Sequence, residues 1–180
     1  MATLDEYFPR TLQFQPHRNA DGRVIESADD FVVRMQGTLL PNWPAEVLTE
    51  WLHRHSNHME DYAQLDFTRM AFERLVWPLE AVPGREAFKD GTFCDSFQNV
   101  ELRAEDNSHD WLAHYMLREG TWNTPIVLLD SSGMAVSSVP DLIRTPYHLL
   151  EGHRRLSFLQ GLKRLQKAQS FHAIWLVKVV

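Results

Sequence analysis

The sequence predicts an α+β fold, a mixed sheet with helices preceded by an N-terminal helical hairpin. Three observations carry that expectation. Residues 108–179 run helix, strand, strand, helix, strand, each stretch with its own hydrophobic period and stop signals. Residues 44–77 hold two stretches with apolar residues at helical spacing. The composition, 44% hydrophobic and 23% charged with six Trp and ten Phe, is that of a chain folding around a packed core.

Taken in order, the first 40 residues read as extended and irregular, and "DDFVVRMQG" has the β-branched centre of a short strand ended by Gly37. "PNWPAEVLTEWLHRH" puts Pro44 at a tolerated first helical position and repeats Val47, Leu48, Trp51 and Leu52, which predicts a helix from Pro44 to His55. A second helix is expected through "EDYAQLDFTRMAFERLVW", stopped by Pro78 and completing the hairpin. Pro83 to Asp95 reads as a loop. It is the seam between a mostly helical elaboration, residues 1–95, and a core, residues 96–180, within a single domain spanning 1–180.

Beyond the seam, "SFQNVELRAED" reads as a loose strand through Phe97, Val100 and Leu102. In "NSHDWLAHYMLREG", Ser108 stands as the expected N-cap, with Trp111, Leu112, Tyr115 and Met116 on the apolar side and Gly120 at the stop. "TPIVLLD" is a short continuous strand with a Ser-Ser-Gly turn behind it. "PYHLLEG" is the next strand, "HRRLSFLQGLKRLQKAQ" a helix, and "FHAIWLVKVV" a closing strand.

Charge and cysteine content exclude several classes. The single Cys94 forms no internal disulfide and no C-x-x-C pair exists, so Cys94 reads as a small buried hydrophobe. No apolar run approaches the roughly 20 residues of a membrane helix, and "MATLDEYFPR" lacks the pattern of a signal peptide, so a cytoplasmic location is expected. The net charge of −6 argues against a surface that binds nucleic acid throughout. Its distribution is uneven: residues 141–180 carry seven Lys or Arg against two acids, a balance of +5, which leaves −11 on the first 140.

The basic segment concentrates at "EGHRR", residues 151–155, where a strand gives way to a helix. Gly152 lets the backbone turn and a ligand approach, and the helix N-terminus that follows attracts anions. Cations in a first helical turn are locally unfavourable, and a bound anion reverses that sign. At about 100° per residue, Leu156, Phe158, Leu159, Leu162 and Leu165 form the apolar arc and Arg155 falls inside it, so Arg155 needs an anionic partner. Glu151, or a carboxylate upstream, is the structural alternative to a ligand. His153, Ser157, Gln160, Arg164 and Lys167 fall on the opposite side.

"TPIVLLD", "YHLLEGHRRLSFLQGL" and "FHAIWLVK", with "LAHYMLREGTWN" ahead of them, resemble the core of the ParB/sulfiredoxin superfamily over about residues 108–179. That resemblance implies binding of a nucleotide triphosphate, with Mg²⁺ as its companion ion and hydrolysis as an accompanying activity. It implicates Gly152, Arg154 and Arg155, with Thr124 and Pro125 lining the site, Glu151 beside them, and His153 as candidate acid or base. Where the superfamily's partition proteins read Gly-Glu-Arg-Arg-x-Arg, this chain has His153 and Ser157 in place of the Glu and the last Arg. The catalytic Cys of sulfiredoxins has no counterpart in the box, and the DNA-reading helical domain of partition proteins has none here, so sequence-specific DNA binding is not expected.

The remaining groups point elsewhere. His53, His55 and His58 do not converge on one helix face, since residues two apart diverge by about 200°, and no metal site is expected. A Ser157 or Cys94 nucleophile lacks an identifiable base, and His148 and His172 are expected at sheet ends. A second functional class fits the charge: a binding protein of the immunity or antitoxin kind, whose acidic, aromatic-rich N-terminal half covers a basic protein partner such as a toxin acting on nucleic acid.

Overall fold

A computed structural model describes residues 11–134 and 143–180, apart from the side chains of Asn57, His58 and Glu60. Among these the chain is an α+β protein with six α-helices and a four-stranded, mixed, open sheet. It divides into two compact units, one running to Phe72 with Lys178–Val180, the other Glu73–Val177.

In the first unit, α1 spans Ala28–Thr38 where a strand is expected. Ser27 accepts the Asp30 N–H while its hydroxyl donates to the Asp30 carboxylate, and Asp29 and Asp30 sit at the positive end of the helix. Phe31 and Met35, four apart, are fully buried, whereas Val33 is 72% exposed. Capping and i,i+4 burial override the β-branched pair. Helix α2, Ala45–Val47, continues into a π turn over Leu48–His53, and Pro44 stands at its N-cap. Val47, Leu48, Trp51 and Leu52 are buried as their spacing predicts.

The second expected helix does not form, so there is no helical hairpin. The chain instead makes 3₁₀ turns at Ser56–Tyr62 and Phe67–Arg69 and enters strand β1, Met70–Pro78. Asp66 accepts the Thr68 N–H and hydroxyl, which fixes a turn where a helix would have to run. Leu75 and Trp77 then pack on the core while Val76 between them is 65% exposed, a period of two rather than 3.6. Trp43 stacks on Trp51 with centroids 5.7 Å apart and donates from Nε1 to the Phe67 carbonyl at 2.9 Å.

In the second unit, α3 (Gly91–Phe97) forms largely within the stretch expected as a loop, Pro83 to Asp95, and α4 (Val100–Asp106) replaces the strand expected through Phe97, Val100 and Leu102. Asp90 caps α3, and Val100 and Ala104 bury one side of α4 while Leu102 is 50% exposed. Helix α5 (Trp111–Glu119) is capped by Asp110 rather than Ser108, and ends at Gly120. Trp111, expected on its apolar side, is 57% exposed.

From here the predicted order holds: β2 (Ile126–Asp130), β3 (Tyr147–Glu151), α6 (His153–Arg164) and β4 (Phe171–Val179). The strand order is β1-β4-β2-β3, with β2 parallel to β4 and antiparallel to β3. One face of the sheet, through Ile126, Leu128, Leu149, Ile174 and Leu176, shares a core with Leu156, Phe158, Leu159 and Leu162 of α6.

Helix α6 is more deeply embedded than its wheel predicts. Ser157, expected on the polar side, is completely buried. Gly161 explains the depth, because a Cβ there would stand 2.0 Å from the Gln98 carbonyl oxygen. Only a glycine lets the helix backbone approach the α3–α4 link so closely.

Candidate functional site

The antiparallel register, with Val127 opposite Glu151, brings the start of β2 beside the end of β3. Thr124 and Pro125, both buried, lead into β2, so they share one end of the sheet with Glu151 and Gly152. Gly152 is the N-cap of α6 and sits at φ 99°, in the left-handed region that suits glycine. No side chain caps this helix, and the first intrahelical bond runs from the Leu156 N–H to the Gly152 carbonyl. The backbone N–H groups of the first turn lie ahead of that bond, in a position that favours anions. Directly over Gly152, however, space is occupied: a Cβ would meet Ile126 Cγ2 at 2.6 Å and Arg155 Nε at 3.2 Å.

The two box arginines have different situations. Arg155 is 6% exposed and donates to Glu151 Oε1 at 3.2 Å, so the carboxylate four residues earlier answers the charge inside the apolar arc. Arg154 keeps 42% of its side chain exposed and pairs with the Asp110 carboxylate. Its guanidinium lies 5.3 Å from the Phe158 ring centroid and 5.6 Å from that of Phe97, a cation–π seat on two rings. Asp110 is held in turn by its capping bond from the Ala113 N–H at 3.2 Å.

His153 opens α6 with its ring edge-on to Phe88 and Phe93, centroids 5.8 and 5.7 Å away, and its carbonyl accepts the Ser157 hydroxyl at 2.8 Å. His148, on β3, is fully buried and accepts the Arg144 N–H through Nδ1 at 3.2 Å. Burial, and then the positive fields of His153, Arg144 and Lys89, push its pKa down to about 4. Arg144 clamps the chain ahead of α3 by donating to the Phe88 and Lys89 carbonyls.

Other candidates are structural. Cys94 is buried, and burial pushes its thiol up, away from the thiolate a nucleophile needs. His172 donates from Nε2 to the Gln169 carbonyl and accepts the Thr121 hydroxyl at Nδ1. His53 bonds the Glu26 carbonyl at 2.8 Å, and the His58 side chain lies outside the described residues. Among the described residues no three His, Cys, Asp or Glu side chains group to hold a metal ion. At the junction the two nearby carboxylates, Asp110 and Glu151, are paired with Arg154 and Arg155. A cleft of about 250 Å³ in the first unit, lined by Phe14, Gln64 and Phe67 among others, has no charged side chain except Asp66.

Sequence reasoning reached Gly152, Arg154, Arg155 and Glu151 but missed Asp110, whose one signal was its place just ahead of a helix. The basic segment docks on the acidic stretch within its own unit: Arg154 on Asp110 and Arg164 on Glu101, the latter at 2.9 Å. Part of the uneven charge along the chain is therefore internal complementarity. Among the described residues no helix is long and apolar enough to cross a membrane. No family model, curated protein or solved structure matches the chain.

Proposed function

We propose that the β3–α6 junction binds a phosphate-bearing ligand, with a nucleotide as the first class to test, in a fold of the ParB/sulfiredoxin kind. One observation carries the reading: a twelve-residue helix starts at a left-handed glycine with no capping side chain, has no carboxylate in its first turn, and carries a half-exposed arginine there. The order of elements from α5 to β4 agrees with the same reading.

In this proposal Arg154 and the first-turn N–H groups contact phosphate, and Asp110 gives Arg154 up when the ligand enters. Arg155 and Glu151 serve by stiffening the junction, and Thr124 and Pro125 shape its wall. His153 is the group that would move a proton if a phosphate ester is hydrolysed.

Thermal unfolding of the full chain with CTP, ATP, GTP or inorganic phosphate, with and without Mg²⁺, tests this. A ligand bound only by the native state adds about 2.7 kcal/mol at a hundredfold excess over Kd. The stabilisation is expected with a nucleotide and absent in Arg154→Ala; no stabilisation by any of them contradicts the proposal.

A second reading, a protein that covers a basic partner in the manner of an immunity or antitoxin protein, is favoured by a different observation. Arg154, Arg155 and Arg164 are all answered by the chain's own carboxylates. Under that reading no nucleotide binds, and capture of the partner slows as salt rises.

A further inference from the structure

Phe97 closes helix α3, which packs on α6, and its ring seats two guanidiniums. Arg103 of α4 stands 4.6 Å from the ring centroid and Arg154 of α6 stands 5.6 Å from it. Phe93, stacked on Phe97 at 4.7 Å and 22°, holds the ring in place. Residues from three helices thus gather two cations on one small apolar surface.

The two are answered unequally. Arg154 has the Asp110 carboxylate, whereas Arg103 is exposed and makes no ion pair or side-chain hydrogen bond among the described residues. Of the acids on its own helix, Glu101 is paired with Arg164, and Glu105 and Asp106 form no ion pair among the described residues. The ring attracts Arg103 without using its donors, so the whole fork of guanidinium N–H groups stays open in a fixed seat. A phosphate group offers three strong acceptor oxygens. Two bidentate guanidiniums ask for four, and the first-turn N–H groups of α6 for more, so a second phosphate is needed to satisfy them.

From this arrangement we infer that the junction takes a ligand with two or more linked phosphates. The first phosphate lies on Arg154 and the first turn of α6, the next lies on Arg103, and Phe97 is the positioning residue for both guanidiniums. This rests on the phosphate reading above and adds to it the length of the phosphate chain and the roles of Arg103 and Phe97.

The probes are inorganic pyrophosphate and inorganic phosphate, titrated calorimetrically into the full chain. The parent is expected to bind pyrophosphate about tenfold or more tightly than phosphate, and Arg103→Gln to lose that margin while its phosphate affinity stays within about twofold. Phe97→Leu, which keeps an apolar side chain but removes the ring, is expected to lose part of the same margin; a full margin there overturns the role of Phe97. Arg74→Gln, which removes an exposed cation elsewhere in the same unit, is expected to keep both affinities within about twofold. Unchanged unfolding midpoints in Arg103→Gln and Arg74→Gln establish that these exposed-site variants remain folded. A pyrophosphate margin that survives Arg103→Gln overturns the inference and leaves the phosphate reading standing, as does a parent that binds phosphate and pyrophosphate equally. Equal weakening by Arg103→Gln and Arg74→Gln overturns it in favour of general charge attraction. Binding of neither anion by the parent removes the phosphate reading and this inference together.

Discussion

Arg155 and Glu151 face each other across the turn from β3 into α6, guanidinium to carboxylate 3.2 Å apart, with side chains 7% and 12% exposed. This pair turns a cation in an apolar arc into a satisfied element of the core, and it separates the roles of two adjacent arginines. Removing one partner strands the other's charge. Arg155→Ala is therefore expected to destabilise the chain by about 3–5 kcal/mol, whereas Arg155→Met combined with Glu151→Gln is expected within about 1 kcal/mol of the parent. Urea midpoints of the three proteins check this.

Gly161→Ala should destabilise although alanine is the better helix former. The new methyl would meet the Gln98 carbonyl oxygen at 2.0 Å, and both sides of that contact are backbone. A loss of about 1–3 kcal/mol is expected, net of the helix-propensity gain. Stability equal to or above the parent would mean that α6 does not lie so close to the α3–α4 link.

Acid sensitivity should begin well above the carboxylate range. His148 is neutral in the fold with its pKa lowered to about 4 from 6.5, so the unfolded chain binds the proton more readily. Stability is complete above pH 6.5, falls as the pH drops toward 4, and levels below that, by about 3 kcal/mol for this group alone. His172, lowered by its own burial, adds in the same direction. His148→Asn keeps an acceptor for the Arg144 N–H and should flatten much of the slope. An unchanged slope would assign the acid sensitivity elsewhere.

A further acid step belongs to Glu26, whose carboxylate accepts Arg34 Nε at 2.7 Å and NH2 at 2.6 Å. The hydrogen bond from Arg34 leads the causes that hold its pKa at about 2. Its contribution is whole above pH 4.5 and is lost as the pH falls toward 2. Arg34→Ala should raise the Glu26 pKa toward the ordinary value, readable by carboxyl-carbon NMR.

The half of the chain after Trp111 was legible because its signals do not compete. "IVLLD" is too short and too apolar for a helix, and Gly120 and Gly152 stand where left-handed backbone is needed. Even the partner of Arg155 was within reach, four residues away. The earlier half misled for physical reasons. Val32 and Val33 suggested a strand, yet the cap from Ser27 to Asp30 and the burial of Phe31 and Met35 made a helix. The stretch to Pro78 matched a helical template until Leu75 and Trp77, two apart, faced the same core. Which carboxylate would take Arg154 was unreadable, because Asp110 lies 44 residues upstream and only the docking of α6 on α5 joins them.

The most direct test of the junction compares nucleotide affinity in the parent, Arg154→Ala and Asp110→Asn by calorimetric titration with CTP, ATP and GTP. Asparagine still caps α5 but no longer competes as an anion for Arg154. If Arg154 exchanges Asp110 for phosphate, one nucleotide binds the parent, binds Asp110→Asn several-fold more tightly, and does not bind Arg154→Ala. Absence of binding in all three, or equal binding in all three, would contradict the exchange and leave Arg154 as a structural tie between α6 and α5.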